Sequence, residues 1–125
     1  ADRGSNACEI FLLIFAFFLS DPDVVYVTRG NHEDEYMNMM SADEGGGFYD
    51  ECLNKYGEGT YNKFVEIFML LPLAAVIHDE VFVVHGGVPR GTPSLSAIDE
   101  LPHTKVCCPA PDAEDPQDLM FVDLL

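Results

Sequence analysis

The stretch Val24-Val25-Tyr26-Val27-Thr28-Arg29-Gly30-Asn31-His32-Glu33-Asp34 decides how this chain is read. Its first half is β-branched and aromatic, the composition of a strand buried on both faces. Its second half breaks at Arg29-Gly30 into a polar loop carrying an amide, an imidazole and two carboxylates. Open α/β sheets build their active sites at the carboxyl ends of such strands. The arrangement recurs at Val81-Phe82-Val83-Val84, followed by His85-Gly86-Gly87. Two strands that each end in a His beside Gly are expected to address one shared site.

Working outward, the apolar run at residues 10–19 is too short for a bilayer, which takes about 20 residues. Glu9 abuts it, and Ser20-Asp21-Pro22 stops a helix instead of offering a small-x-small cleavage site. A helix over residues 6–19, apolar on most sides, is therefore expected to be sandwiched against a sheet. Residues 36–40 form a Met-rich patch, and the glycines that close residues 41–47 predict a flexible surface loop. Residues 48–56 read as a helix stopped by Gly57. A second helix follows Thr60, with Tyr61, Phe64, Val65, Phe68 and Met69 as its core face, and ends at Leu71-Pro72. Residues 73–78 and 81–84 predict a hairpin turning at Asp79-Glu80. Residues 94–101 read as a short helix and residues 102–118, rich in Pro and Asp, as an extended loop. Residues 119–125 are apolar again, and both ends of the sequence read as cut.

With 125 residues the chain is one domain or part of one. It carries 22 acidic residues against 6 basic ones, a net charge of −16. No basic stripe exists to displace counterions, so nucleic acid is not an expected partner, and neither is a membrane. The acidic balance suits divalent cations or basic partners, but a solvated surface is its commoner meaning. The four cysteines, Cys8, Cys52, Cys107 and Cys108, show no C-x-x-C spacing. They read as reduced thiols of an intracellular protein, cytoplasmic or nuclear.

The loop residues suggest chemistry. Asn31 offers a hard amide oxygen, and His32 and His85 offer imidazole nitrogens suited to Mn, Fe or Zn. Arg3 and Arg29 are scarce cations in an acidic chain, and a guanidinium grips phosphate with two prongs. By residue type alone the set fits a metal-assisted phosphate-ester site, although such a histidine is more often simply hydrogen-bonded and Asn-His in a loop is often only turn chemistry.

Asp2-Arg3-Gly4, Arg29-Gly30-Asn31-His32-Glu33, Gly47-Phe48-Tyr49-Asp50-Glu51-Cys52, Leu71-Pro72-Leu73-Ala74-Ala75, His85-Gly86-Gly87 and Asp123-Leu124-Leu125 occur in this order. Together they resemble the signature blocks of the phosphoprotein phosphatases, metal-dependent Ser/Thr phosphatases, most nearly the type-1 and type-2A catalytic subunits. The resemblance covers essentially the whole chain. It implies an α/β, metallophosphoesterase-type β-sandwich flanked by helices, of which residues 1–125 are an interior part truncated at both ends.

The resemblance also implies an activity: hydrolysis of phosphoserine and phosphothreonine in proteins by a hydroxide activated on two divalent metal ions (Mn, Fe or Zn). Asn31 and His85 match ligands of one ion, His32 the general acid, Asp2 the carboxylate that orients it, and Arg3 a phosphate clamp. Phosphoprotein substrates and regulatory subunits are the implied partners. Glu33 and Asp34 read as supporting or surface residues, and Arg29 is assigned no role. The Asp-x-His and Gly-Asp blocks, a later His ligand and a second phosphate-binding Arg do not occur. His103 or Lys105 stands where that Arg would be, and the loops at residues 39–46 and 109–118 are longer than in relatives. The fragment alone is therefore expected to be inactive. Alternatives from other classes are a non-catalytic phosphatase-like binding module and a metallophosphoesterase acting on a small phosphate ester.

Overall fold

Aromatic side chains gather the first half of the chain. The computed structural model describes residues 1–102, 104 and 108–125. Helix α1 (Ala7–Ser20), helix α3 (Phe48–Tyr56) and helix α4 (Glu58–Phe68) close around Phe11, Phe48, Phe64 and Phe68. The Phe11 and Phe68 ring centroids lie 4.9 Å apart, and Phe48 meets Phe64 edge-on at 5.2 Å. Such tilted and edge-on pairings add to the gain from burial alone. Cys8 and Cys52 are also fully buried here, as free thiols whose pKa values burial pushes up.

Helix α1 matches its expected span but not its expected burial. Only Ala7, Cys8 and Phe11 are buried, whereas Ile10, Leu12, Leu13, Phe17 and Leu19 are exposed. The helix packs by one face on other helices, not on a sheet, because α3 and α4 supply the aromatic partners. Its N-cap residue Asn6 makes no side-chain bond. Glu51 of α3 does the capping from outside: its carboxylate accepts the Ala7 and Cys8 N–H groups, each at 3.1 Å.

Gly57 (φ +83) both closes α3 and opens α4. The left-handed glycine lets one helix follow the other directly, so α4 begins at Glu58, ahead of the expected start after Thr60. It ends at Phe68, short of Leu71, and buries Tyr61, Phe64 and Phe68 as the spacing implies. In the expected loop at residues 41–47, Ala42–Glu44 forms a 3₁₀ turn held by a reciprocal Ser41–Glu44 capping box. The glycines follow that turn instead of abolishing it.

The hairpin forms as expected. Strand β1 (Ala74–Ile77) pairs antiparallel with strand β2 (Val81–Val84), Ala74 opposite Val84 and Ile77 opposite Val81. His78 and Asp79 turn the chain with positive φ, so the first strand stops one residue short of His78. Phe82 and Val84 face a second core of Leu73, Leu101, Phe121, Leu124 and Leu125. Helix α5 (Leu95–Asp99) is capped by the Ser94 hydroxyl. Helix α6 (Pro116–Leu124) begins inside the expected loop: Asp115 caps it and Pro116 occupies its first position, so Asp-Pro is a start signal here.

The deciding stretch departs most from expectation. Residues 24–28 form no strand, and Val24 and Tyr26 are each 71% exposed. Among the described residues the only sheet is the β1–β2 pair, so this segment has no ladder to join. A single backbone bond, Arg29 N–H to Pro72 O at 2.9 Å, leads it into the polar loop. The two strand–His–Gly units are thus one extended segment and one true strand.

Candidate active site

The loop at residues 29–34 is fastened from beneath. Arg29 is fully buried: its Nε donates to the Glu33 carbonyl at 2.8 Å, Nη2 lies 3.7 Å from Asp34 Oδ2, and the guanidinium sits 5.7 Å from the Phe121 ring centre. A guanidinium keeps its charge, so burial requires such acceptors and an aromatic face. The Gly30 N–H donates to Glu33 Oε2 at 2.9 Å, and the Glu33 N–H returns a bond to the Gly30 carbonyl at 3.0 Å. Asn31 and His32 ride on this closed turn.

Below it, Asp34 caps helix α2 (Glu35–Asn38) by accepting the Tyr36 and Met37 N–H groups, and its other oxygen accepts the Cys108 N–H. Asn38, fully buried, donates to the His32 carbonyl at 3.4 Å and accepts from the Tyr61 hydroxyl at 2.7 Å. Burial raises the Tyr61 pKa, which keeps that phenol a donor.

Two pairs of sequence-predicted residues come together. His32 Nδ1 lies 2.6 Å from Asp2 Oδ2, whose partner oxygen Oδ1 accepts the Phe48 N–H at 2.8 Å. The Asp2 side chain is fully buried and that of His32 is 16% exposed. An ionised carboxylate only accepts, so the shared proton belongs to Nδ1 and Nε2 is available for exchange with a ligand. Asp2 (φ +64) and Arg3 (φ +58) both sit in the left-handed region, a local strain that the Asp2–Phe48 and Asp2–His32 bonds hold in place.

In the second pair, His85 Nε2 lies 3.1 Å from Asn31 Oδ1. Gly30 underlies it: a Cβ there would stand 3.1 Å from two atoms of the His85 ring and 2.7 Å from Glu33 Oε2. Only glycine lets the loop and the imidazole approach this closely. Arg3 is exposed, and among the described residues its guanidinium makes no hydrogen bond or ion pair. His103 and Lys105, the alternatives to a second phosphate-binding Arg, lie outside the described residues, as does Cys107.

The Asn31–His85 spacing is that of a direct hydrogen bond and also one that two donors to a single divalent ion can adopt. Donors about 2.1 Å from one ion and at right angles to each other stand about 3 Å apart, which is the separation observed. Among the described residues no group of three or more His, Cys, Asp or Glu side chains is arranged to hold an ion. Beside Asn31 opens an apolar pocket of about 590 Å³, lined in part by Tyr36, Met37, Pro109 and Val122. No described helix is long and apolar enough to cross a membrane.

Sequence reasoning offered Arg29 as a cation able to grip phosphate, whereas the structure buries it beneath the loop against Glu33, Asp34 and Phe121; it missed the Asn38–Tyr61 relay and the docking of the turn after His85 on Asp123. Arg29 had one available signal, a cation set at the end of an apolar run in a chain with few cations. The others depend on contacts across long stretches of chain.

A turn that pairs an imidazole with a carboxylate lies next to an amide–imidazole contact, and residues 1–124 match the calcineurin-like phosphoesterase family. The chain belongs to that family, whose members use divalent metal ions. The relatives it matches include Ser/Thr phosphatases. It is 46% identical over 87 residues to serine/threonine-protein phosphatase T of Schizosaccharomyces pombe, an alignment covering 70% of this chain and 17% of that protein. It is 36% identical over 124 residues to the enzyme of the same name from Saccharomyces cerevisiae, covering 99% and 22%. A solved Saccharomyces cerevisiae protein serine/threonine phosphatase, described as similar to human phosphatase PP5, superposes with a TM-score of 0.84 at 34% identity over all of this chain and 36% of that one.

The resemblance to the Ser/Thr phosphatase family therefore holds, and so does the metallophosphoesterase fold, while these relatives are of the phosphatase T and PP5 kind. Of the expected β-sandwich the described residues hold one hairpin. The chain spans about a fifth of the length of these curated relatives.

Proposed function

We propose that this chain carries part of the catalytic site of a metal-dependent protein serine/threonine phosphatase. The observation that carries the proposal is the juxtaposition of two pairs through adjacent residues: Asn31 with His85, and His32 with Asp2. Asn31 and His85 would hold a divalent ion, Mn, Fe or Zn, as one of two. Such an ion, when bound, neutralises charge on phosphoryl oxygens and makes water a stronger acid.

The remaining chemistry falls to the chain's own side chains. Asp2 fixes the His32 tautomer and stabilises the ring when it is doubly protonated, so that Nε2 can hand its proton to the departing Ser or Thr oxygen. Arg3, exposed and unpaired among the described residues, can grip two phosphate oxygens. The apolar pocket beside Asn31 accommodates a neighbouring peptide side chain, which favours a protein substrate over a small ester.

The test replaces the matching segment of the Saccharomyces cerevisiae phosphatase T with this chain and assays a phosphothreonine peptide with Mn²⁺. The chimera is expected to turn over, to lose about 10²- to 10⁴-fold in kcat on His32→Ala, and to lose Mn²⁺ dependence along with activity on Asn31→Ala. A chimera that folds and binds Mn²⁺ yet hydrolyses nothing would refute catalysis in favour of a non-catalytic binding module. The 125-residue chain by itself is expected to be inactive, since the described residues contribute only one ligand pair.

A further inference from the structure

His85 is exposed, and strand β2 ends just before it, so its place needs another support. That support is the end of helix α6. The Gly86 N–H donates to the Leu124 carbonyl at 2.9 Å and the Gly87 N–H to the Asp123 carbonyl at 2.8 Å. These are among the last carbonyls of α6, which have no partner within the helix. The fit leaves no slack: a Cβ on Gly86 would stand 2.7 Å from the Asp123 carbonyl oxygen and 2.8 Å from the Leu125 carbonyl carbon.

The fastening continues three residues on. Arg90 reaches back to the Asp123 carboxylate with its backbone N–H at 2.8 Å, its Nε at 2.9 Å and its Nη2 at 2.6 Å. Asp123 thus grips the segment after His85 twice, by its carbonyl and by its carboxylate. Helix α6 is itself immobilised in the second core by the fully buried Phe121 and Leu124.

We infer that Asp123 and Arg90 are positioning residues for His85: their fork fixes the His85-Gly86-Gly87 turn on the end of α6 and so keeps His85 Nε2 against Asn31 Oδ1. An isolated exposed ion pair contributes little. A two-pronged pair with an added backbone bond fixes orientation, which a ligand residue at the end of a strand needs. The consequence for ion binding rests on reading Asn31 and His85 as a ligand pair; the positioning itself does not.

The experiment is NMR on the 125-residue chain, first without metal. The cross-peak between the His85 ring protons and the Gly30 α-protons is compared in the parent, Asp123→Asn, Arg90→Gln and the charge-exchanged pair Arg90→Asp with Asp123→Arg. The single variants are expected to lose most of that cross-peak while the Phe11–Phe48 cross-peaks persist, and the exchanged pair to recover it. A cross-peak of parental strength in both single variants overturns the inference. Should Asp123→Asn unfold α6, Arg90→Gln decides alone, since its side chain is 61% exposed. Mn²⁺ is then titrated and broadening of the His85 ring signals followed, with the midpoint expected about tenfold higher in the single variants. If the parent His85 is not broadened ahead of the other histidines, the ligand reading fails, while the cross-peak still decides the positioning.

Discussion

His32 Nδ1 and Asp2 Oδ2, separated by 30 positions in the chain, meet at 2.6 Å. The same carboxylate accepts the Phe48 N–H, so one buried Asp ties the candidate acid to the first turn of α3. In the chimeric phosphatase, Asp2→Asn keeps an oxygen for Phe48 but turns an amide N–H toward His32 and forces the other tautomer. The expected result is a loss of about 10²-fold in kcat with little change in KM, and a melting temperature close to the parent's. A KM effect alone would indicate that Asp2 acts only on binding.

Helix α1 depends on a residue from another helix. Glu51 accepts two of its first N–H groups and pairs with Lys55 at 3.0 Å. Glu51→Ala leaves those donors without an acceptor and is expected to cost about 2 kcal/mol. Thermal or denaturant unfolding measures it, and a cost near zero would mean that water caps the helix equally well.

Two glycines are expected to respond in opposite directions. Gly59 lies within α4, with nothing within 4 Å of where a Cβ would be placed. Gly59→Ala should therefore stabilise by about 0.5–1 kcal/mol through lower unfolded-state entropy. Gly86→Ala drives a methyl into the end of α6 and should destabilise by about 1–3 kcal/mol. Hydrogen exchange at the Gly86 and Gly87 amides should accelerate in the second variant and not in the first.

These residues also mark what was legible beforehand. Elements built from local pattern were readable: α3 between Gly47 and Gly57, the core face of α4, and the hairpin before His85. Residues 24–28 were not, because β-branched composition signals strand potential while a strand also needs a neighbour, and the described residues offer this segment none. The burial of α1 was overestimated for the same reason: apolar residues on every side say nothing about how many faces meet a partner. At the site, the motif residues Asp2, Asn31, His32 and His85 were legible as types in an order. Of the supports that aim them, Arg29 acts on Glu33 and Asp34 close by in the chain, whereas the Tyr61–Asn38 and Arg90–Asp123 contacts span long sequence separations that no local pattern encodes.

The Arg90–Asp123 fork makes a pH prediction whose sign can be worked out. The Arg90 side chain, followed by its backbone N–H, lowers the Asp123 pKa from 3.8 to about 2. A carboxyl with a depressed folded-state pKa contributes stability that is fully present above its unfolded value, and that is lost as pH falls through the folded value. The window here is therefore about pH 4 down to about pH 2. Over the same range protonation relieves the repulsion among 22 acidic residues, which acts in the opposite direction and obscures a single melting curve. The difference between the parent and Asp123→Asn cancels that shared effect. The parent is expected to melt at a higher temperature above about pH 4, with the gap closing as pH approaches 2. A gap that is constant across this range would mean that the fork stabilises through shape alone, and one that widens on acidification would contradict the ion pair outright.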